Sequence, residues 1–138
     1  AGNKARRCAL DLDLERLIIT PGINKYRAGY DSPFDKHREL ANEYINRSSR
    51  LLIVGYGFND DHLQTHLIRR IRDGMPTLIL VQSVGEVVQH LAEESPCCVC
   101  LSESKTGLGV SVLTKGHRFE HEGSALWDLG VLTKELLT

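Results

Sequence analysis

The amino-acid sequence predicts an α/β fold in which a parallel sheet is flanked by helices. Three observations carry that expectation. Leu51 to Gly55 (L-L-I-V-G) is an apolar run without charge, the length and composition of a strand buried on both faces. Leu63, Leu67 and Ile71 then recur at four-residue spacing, which draws one stripe along a helix. Thr77 to Val81 (T-L-I-L-V) is a second apolar strand. Strand, helix and strand in that order form a βαβ unit, expected to be parallel and right-handed in its crossover.

The remaining elements follow from local chemistry. Ala1 to Leu10 is basic and then mixed, and residues 1–11 are expected to be disordered. Leu12 to Thr20 ends in L-I-I-T, a short strand closed by the turn Pro21-Gly22. Asn24 to Asp31, with Tyr26, Gly29 and Tyr30, reads as an ordered loop, either held by tyrosine packing or lining a cleft. Ser32 can cap a helix, Pro33 suits its first position and Asp35 sits near the positive end of its dipole. Phe34, Ala41, Tyr44, Ile45 and Ser48 give that helix a semi-apolar face. The central helix stops near Asp73-Gly74, before Pro76.

Val84, Val87, Val88 and Leu91 predict a short helix ended by Ser95-Pro96. Cys97 to Leu101 and Val110 to Leu113 predict two further strands, with Ser102 to Gly109 as a polar surface loop between them. Lys115 to Gly123 reads as a polar connection. After Ser124 a final amphipathic helix is expected, carrying Leu126, Leu129, Leu132 and Leu136. Trp127 on it would pack on the sheet or serve at an interface.

Composition limits the function. A chain of 138 residues is one domain at most, long enough to bury a core. Its residues are 41% hydrophobic and 25% charged, as in a globular protein. Seventeen basic against 18 acidic residues leave a net charge of -1, which argues against nucleic acid or an anionic membrane surface as the main partner. No apolar run approaches the roughly 18 residues that span a bilayer. The N-terminal residues lack the pattern of a secretory signal, so a cytoplasmic, reducing location is expected.

Four cysteines are present: Cys8, Cys97, Cys98 and Cys100. The spacing C-C-V-C does not match paired zinc ligands, and small buried hydrophobes on a strand are the favoured reading. His62 and His66 are four apart, as in H-x-x-x-H metal helices, but no third ligand is evident. The favoured reading places one of them against solvent or a neighbouring element. Neither a Walker motif nor a G-x-S-x-G elbow occurs.

The candidate site is the corner between the first apolar strand and the helix after it. Gly55 and Gly57 bracket the corner, and Asn59 or Asp60 can cap the helix. Glycines admit a ligand close to the backbone. The first amides of a helix also attract anions, by about 0.3–1 kcal/mol from the dipole. Gln82 and Ser83 lie just past the second strand, where open α/β sheets place ligands.

The stretch G-Y-G-F-N-D-D-H-L after an apolar strand resembles the G-Y-S-F-x-D signature of sirtuin-like domains, the NAD-hydrolysing domains of bacterial antiphage defence. Gly55, Tyr56, Phe58 and Asp60 match it, and Gly57 replaces its usual Ser. The resemblance extends loosely from about Ile18 onward and covers the later part of such a domain. It implies a Rossmann-like fold over residues 1–138, incomplete as a domain, with NAD against Gly55, Tyr56, Gly57, Phe58, Asn59 and Asp60. In the family an Asn near the end of the next strand contacts adenosine, and Gln82 stands there with Ser83 beside it. The family's catalytic Asn and His lie upstream of the corner in motifs this chain does not contain. The resemblance therefore implies an inactive chain that needs the remainder of its domain or forms a homo-oligomer. The alternative is a non-catalytic nucleotide-sensing or protein-interaction module.

Overall fold

The computed structural model describes residues 34–136. Contacts divide the chain between Lys36 and His37, and the fold is that of the later unit. The expected strand at Leu12–Thr20, the turn at Pro21-Gly22, the loop at Asn24–Asp31 and the cap at Ser32-Pro33 lie outside the described residues. So do the expected disorder of residues 1–11 and Cys8.

Helix α1 (Phe34–Arg47) leads into strand β1 (Leu51–Val54), helix α2 (Asp61–Arg72) and strand β2 (Thr77–Leu80). Helix α3 (Glu86–Glu94) and strand β3 (Cys98–Glu103) complete a second βαβ unit. Strands β4 (Gly109–Thr114) and β5 (His117–Glu122) and helix α4 (Leu129–Leu136) follow. The sheet order is β1-β2-β3-β4-β5. β1, β2 and β3 pair in parallel, while β4 and β5 add as an antiparallel meander. The result is the expected α/β architecture: Rossmann-like in its three parallel strands and flanking helices, and part of such a sheet in extent.

The register explains how one sheet buries two faces. Ile53, Ile79, Cys100 and Leu113 are successive cross-strand partners, and all four are buried. Leu67 and Ile71 of α2 and Val88, Leu91 and Ala92 of α3 close over that row in one cluster. Each fully buried side chain of this size contributes roughly 1.5–3 kcal/mol relative to exposure. On the other face Leu80, Leu101 and Val110 are buried beneath Leu126, Trp127 and Leu132. That cover leaves β1 open, for Leu52 and Val54 remain 56% and 47% exposed, so the expected burial of this strand on both faces is corrected to burial at Ile53 alone.

The expected loop Ser102–Gly109 is shorter, since Ser102 and Glu103 end β3 and Gly109 begins β4, and two further expectations need correction. Lys115 to Gly123 is not a polar connection but mostly strand β5, paired with β4 along its whole length. All six β5 residues are exposed, so no apolar stripe marks them. The signal lies instead in H-R-F-E-H-E framed by Gly116 (φ 73) and Gly123 (φ 105), glycines suited to turns that need a positive φ. The final helix also begins later than expected. Leu126 and Trp127 sit in a turn closed by the Asp128 amide donating to the Ala125 carbonyl. Asp128 then caps α4: its Oδ1 accepts from the Val131 amide at 3.0 Å. Trp127 packs on the sheet.

Gly109 is where the meander comes closest. A Cβ there would run into the carbonyl oxygen of His121, with Glu122 Cα only 2.8 Å away. Both are backbone atoms of the paired strand and cannot swing aside. Gly109→Ala is therefore expected to cost about 1–3 kcal/mol through overpacking. A urea midpoint equal to wild type would contradict this close approach.

Candidate functional site at the carboxyl ends of the parallel strands

The carboxyl ends of β1, β2 and β3 lie side by side because their pairing is parallel. Gly55 continues the ladder by one bond, its amide donating to the Leu80 carbonyl at 2.9 Å. The chain then turns with Gly55 at φ 63 and nothing within 4 Å of the place a Cβ would take. That position needs glycine for its backbone conformation, and it is open on the side-chain face. Gly55, Gly57, Asn59 and Asp60 are exposed and Tyr56 is half-buried.

Phe58 behaves differently from its neighbours. It carries φ 55, in the left-handed region, where a non-glycine residue costs about 1–3 kcal/mol. Its ring is 3% exposed and belongs to the core under α2 and α3. Burial of the ring offsets the backbone strain and pins the corner. Of the expected contact residues, Phe58 thus offers a ligand its backbone at most. Tyr56 stacks tilted on it, ring centroids 4.8 Å apart, and donates its hydroxyl to the Asp60 carbonyl at 3.5 Å. Partial burial, then the Asp60 carboxylate, raise the Tyr56 phenol above its usual 10.0. It remains a neutral donor at neutral pH.

The Asp60 carbonyl accepts the first helical bond of α2, from the Gln64 amide at 2.9 Å. Asp61 sits in the first turn and its carboxylate accepts from the Gln64 side chain. Two carboxylates at this helix start complement the dipole and oppose an added anion by a similar amount. The corner therefore suits close backbone approach and sugar hydroxyls better than a phosphate clamp.

Gln82 and Ser83 follow β2, both exposed. The Gln82 carbonyl accepts from the Glu103 amide at 3.0 Å, and its side-chain amide donates to Glu103 Oε2 at 3.4 Å. Beyond β3, Thr106 Oγ1 lies 2.8 Å from both oxygens of Glu122 and 3.0 Å from the buried Ser104 hydroxyl. The fold thus brings the corner, Gln82, Ser83 and Glu103 to one edge and sets Thr106 and Glu122 beyond them. In the sequence Glu103 and Glu122 carry no site signal, because the stretches around them read as polar surface, whereas the structure ends β3 and β5 with them. A groove of about 400 Å³ bounded by Glu93, Thr114, His117 and Arg118 lies instead by the β4–β5 turn, at the other end of the sheet.

Of the other candidates, the His62 side chain lies outside what the structure describes. His66 Nε2 meets Asn46 Oδ1 at 2.7 Å, joining α2 to α1. No cluster of three metal-ligating groups occurs among the described residues. No described helix is long and apolar enough to cross a membrane. Cys98 and Cys100 are buried free thiols on β3, as expected of small hydrophobes, whereas Cys97 is exposed. Compared with known protein families, curated proteins and solved structures, the chain matches none.

Burial pushes the Cys98 thiol up to about 11 and the Cys100 thiol up to about 12, from an ordinary 9.0. The folded state keeps both protonated, while the unfolded chain ionises them near 9.0. Stability from this source is complete below that pH and falls as pH rises through 9.0 toward 11. Urea midpoints should decline over that interval. The decline should be smaller in a Cys98→Val, Cys100→Val variant, and an equal slope in both proteins would refute the assignment.

Proposed function

We propose that this chain supplies the NAD-binding part of a sirtuin-like NAD hydrolase, an NAD-depleting effector of the antiphage-defence kind that works in the cytoplasm. The catalytic Asn and His would lie outside this chain, whose partner would be the remainder of its own domain or further copies in a homo-oligomer. One observation carries the reading: a glycine corner, open at Gly55, sits at the carboxyl end of a parallel strand beside Gln82 and Ser83. Ligands of open α/β sheets lie outside those ends. Within the corner, Gly55, Gly57, Asn59 and Asp60 would line the ligand, Tyr56 would flank it, and Phe58 would hold the backbone in place.

A second reading, a nucleotide-sensing or protein-interaction module without catalysis, draws on a different observation. Leu52 and Val54 expose apolar surface on β1, and exposed apolar patches mark contact surfaces.

Titration calorimetry with NAD and with ADP-ribose separates a nucleotide-binding corner from a protein-interaction module. Binding of both is expected, weakened about tenfold by Gly55→Ala, because a methyl group enters the open approach and strains the backbone. The chain alone should consume no NAD. Failure of either nucleotide to bind would favour the interaction module, and robust turnover by this chain would overturn the assignment of catalysis to residues outside it.

A further inference from the structure

We infer that the open edge of β5 pairs with the same edge of a second copy of this chain, antiparallel and centred on Phe119, so that two sheets join into one. The pairing holds whether or not the corner binds a nucleotide, and it gives the homo-oligomer of that reading a definite surface.

β5 is the outermost strand of its sheet, and among the described residues it pairs only with β4. Natural sheet edges are protected from other chains by lysines, prolines or bulges. His117–Glu122 contains no lysine or proline, and its register with β4 runs unbroken along the strand. Every residue of β5 is exposed. Phe119 is the large apolar one among them, 55% exposed, and its ring stacks on His117 with centroids 5.9 Å apart.

The ladder to β4 fixes what the edge offers. The Gly123 amide donates to the Leu108 carbonyl, and hydrogen-bonded pairs alternate along an antiparallel ladder. His117, Phe119 and His121 therefore turn their backbone groups toward β4, whereas Arg118 and Glu120 turn theirs to the open side. A two-fold axis normal to the sheet keeps each side chain on its own face, and the contact is isologous. Centring that axis on Phe119 sets Arg118 opposite Glu120 of the second copy, twice by symmetry, with ladder hydrogen bonds at both pairs. Phe119 meets its own copy as the non-hydrogen-bonded pair, where Cα atoms stand about 4.5 Å apart and side chains are nearest. The neighbouring registers set Glu120 against Glu120 or Arg118 against Arg118, which like-charge repulsion disfavours. Within one chain Arg118 Nε reaches Glu120 Oε1 only at 3.9 Å, beyond hydrogen-bond distance, which leaves room for a closer contact across the edge.

Sedimentation velocity on the full chain tests the pairing, with wild type, Arg118→Glu, Glu120→Arg and the double exchange, each shown to be folded by circular dichroism. Wild type is expected to dimerise. Each single exchange puts like charges opposite each other twice and should raise the dimer dissociation constant at least about tenfold. The double exchange restores opposite charges at both pairs and should recover most of that loss. As a check independent of charge, Phe119→Cys in a Cys8→Ser, Cys97→Ser background should oxidise to a covalent dimer, because the pair's spacing suits a disulfide. A wild type still monomeric at about 0.3 mM, single exchanges that dimerise as tightly as wild type, or a Phe119→Cys chain that forms no covalent dimer would overturn the inference.

Discussion

The parallel ladder of β1, β2 and β3 is the constraint on which the rest depends. Its pairing sets Ile53, Ile79 and Cys100 in one row, and that row is the floor on which α2 and α3 pack. Parallel strands need a crossover between them, so each returns to the sheet through a helix and all three end at one edge. Gathering the strand ends also gathers the loops that follow them. The corner after β1, the Gln82–Ser83 turn and Glu103 are neighbours for that reason alone.

Strain and burial are balanced at the corner. Gly55 absorbs a left-handed backbone without penalty, but Phe58 does not, and its conformation survives because its ring fills the core. An exposed polar residue at 58 would gain nothing there and would release the turn. The buried ring keeps the neighbouring exposed residues in a fixed arrangement, and preorganisation of that kind lowers the cost of binding. The acidic pair Asp60-Asp61 then biases the corner toward hydroxyl donors. This electrostatic preference disfavours a pyrophosphate at the helix start.

Much of the fold was legible because its signals are local. Four-residue runs such as Leu51–Val54 and Thr77–Leu80 have few alternatives when both faces are apolar. The stops at Gly74 and Pro96 are backbone chemistry that any context respects. β5 escaped detection because a strand exposed on both faces carries no burial pattern, and its pairing with β4 is a tertiary fact. The late start of α4 was hidden for a related reason: Leu126 and Trp127 continue the apolar spacing of the helix but are spent on the sheet before it begins. At the site, the glycines and Gln82 could be placed from sequence. The inward turn of the Phe58 ring could not, since a signature match does not distinguish an anchoring aromatic from one that faces a ligand. Glu103 and Glu122 join the edge only once the meander has folded back.

The strand-end edge, fixed by the ladder, is the proposed nucleotide surface. Amide-resolved NMR of the full chain with and without ADP-ribose tests it most directly. The account predicts that the Gly55 amide, bonded to Leu80, exchanges slowly with solvent, and that ligand-induced shifts concentrate at residues 55–60, 82–83 and 103. Fast exchange at Gly55, or shifts confined to the β4–β5 turn at the opposite end, would contradict it.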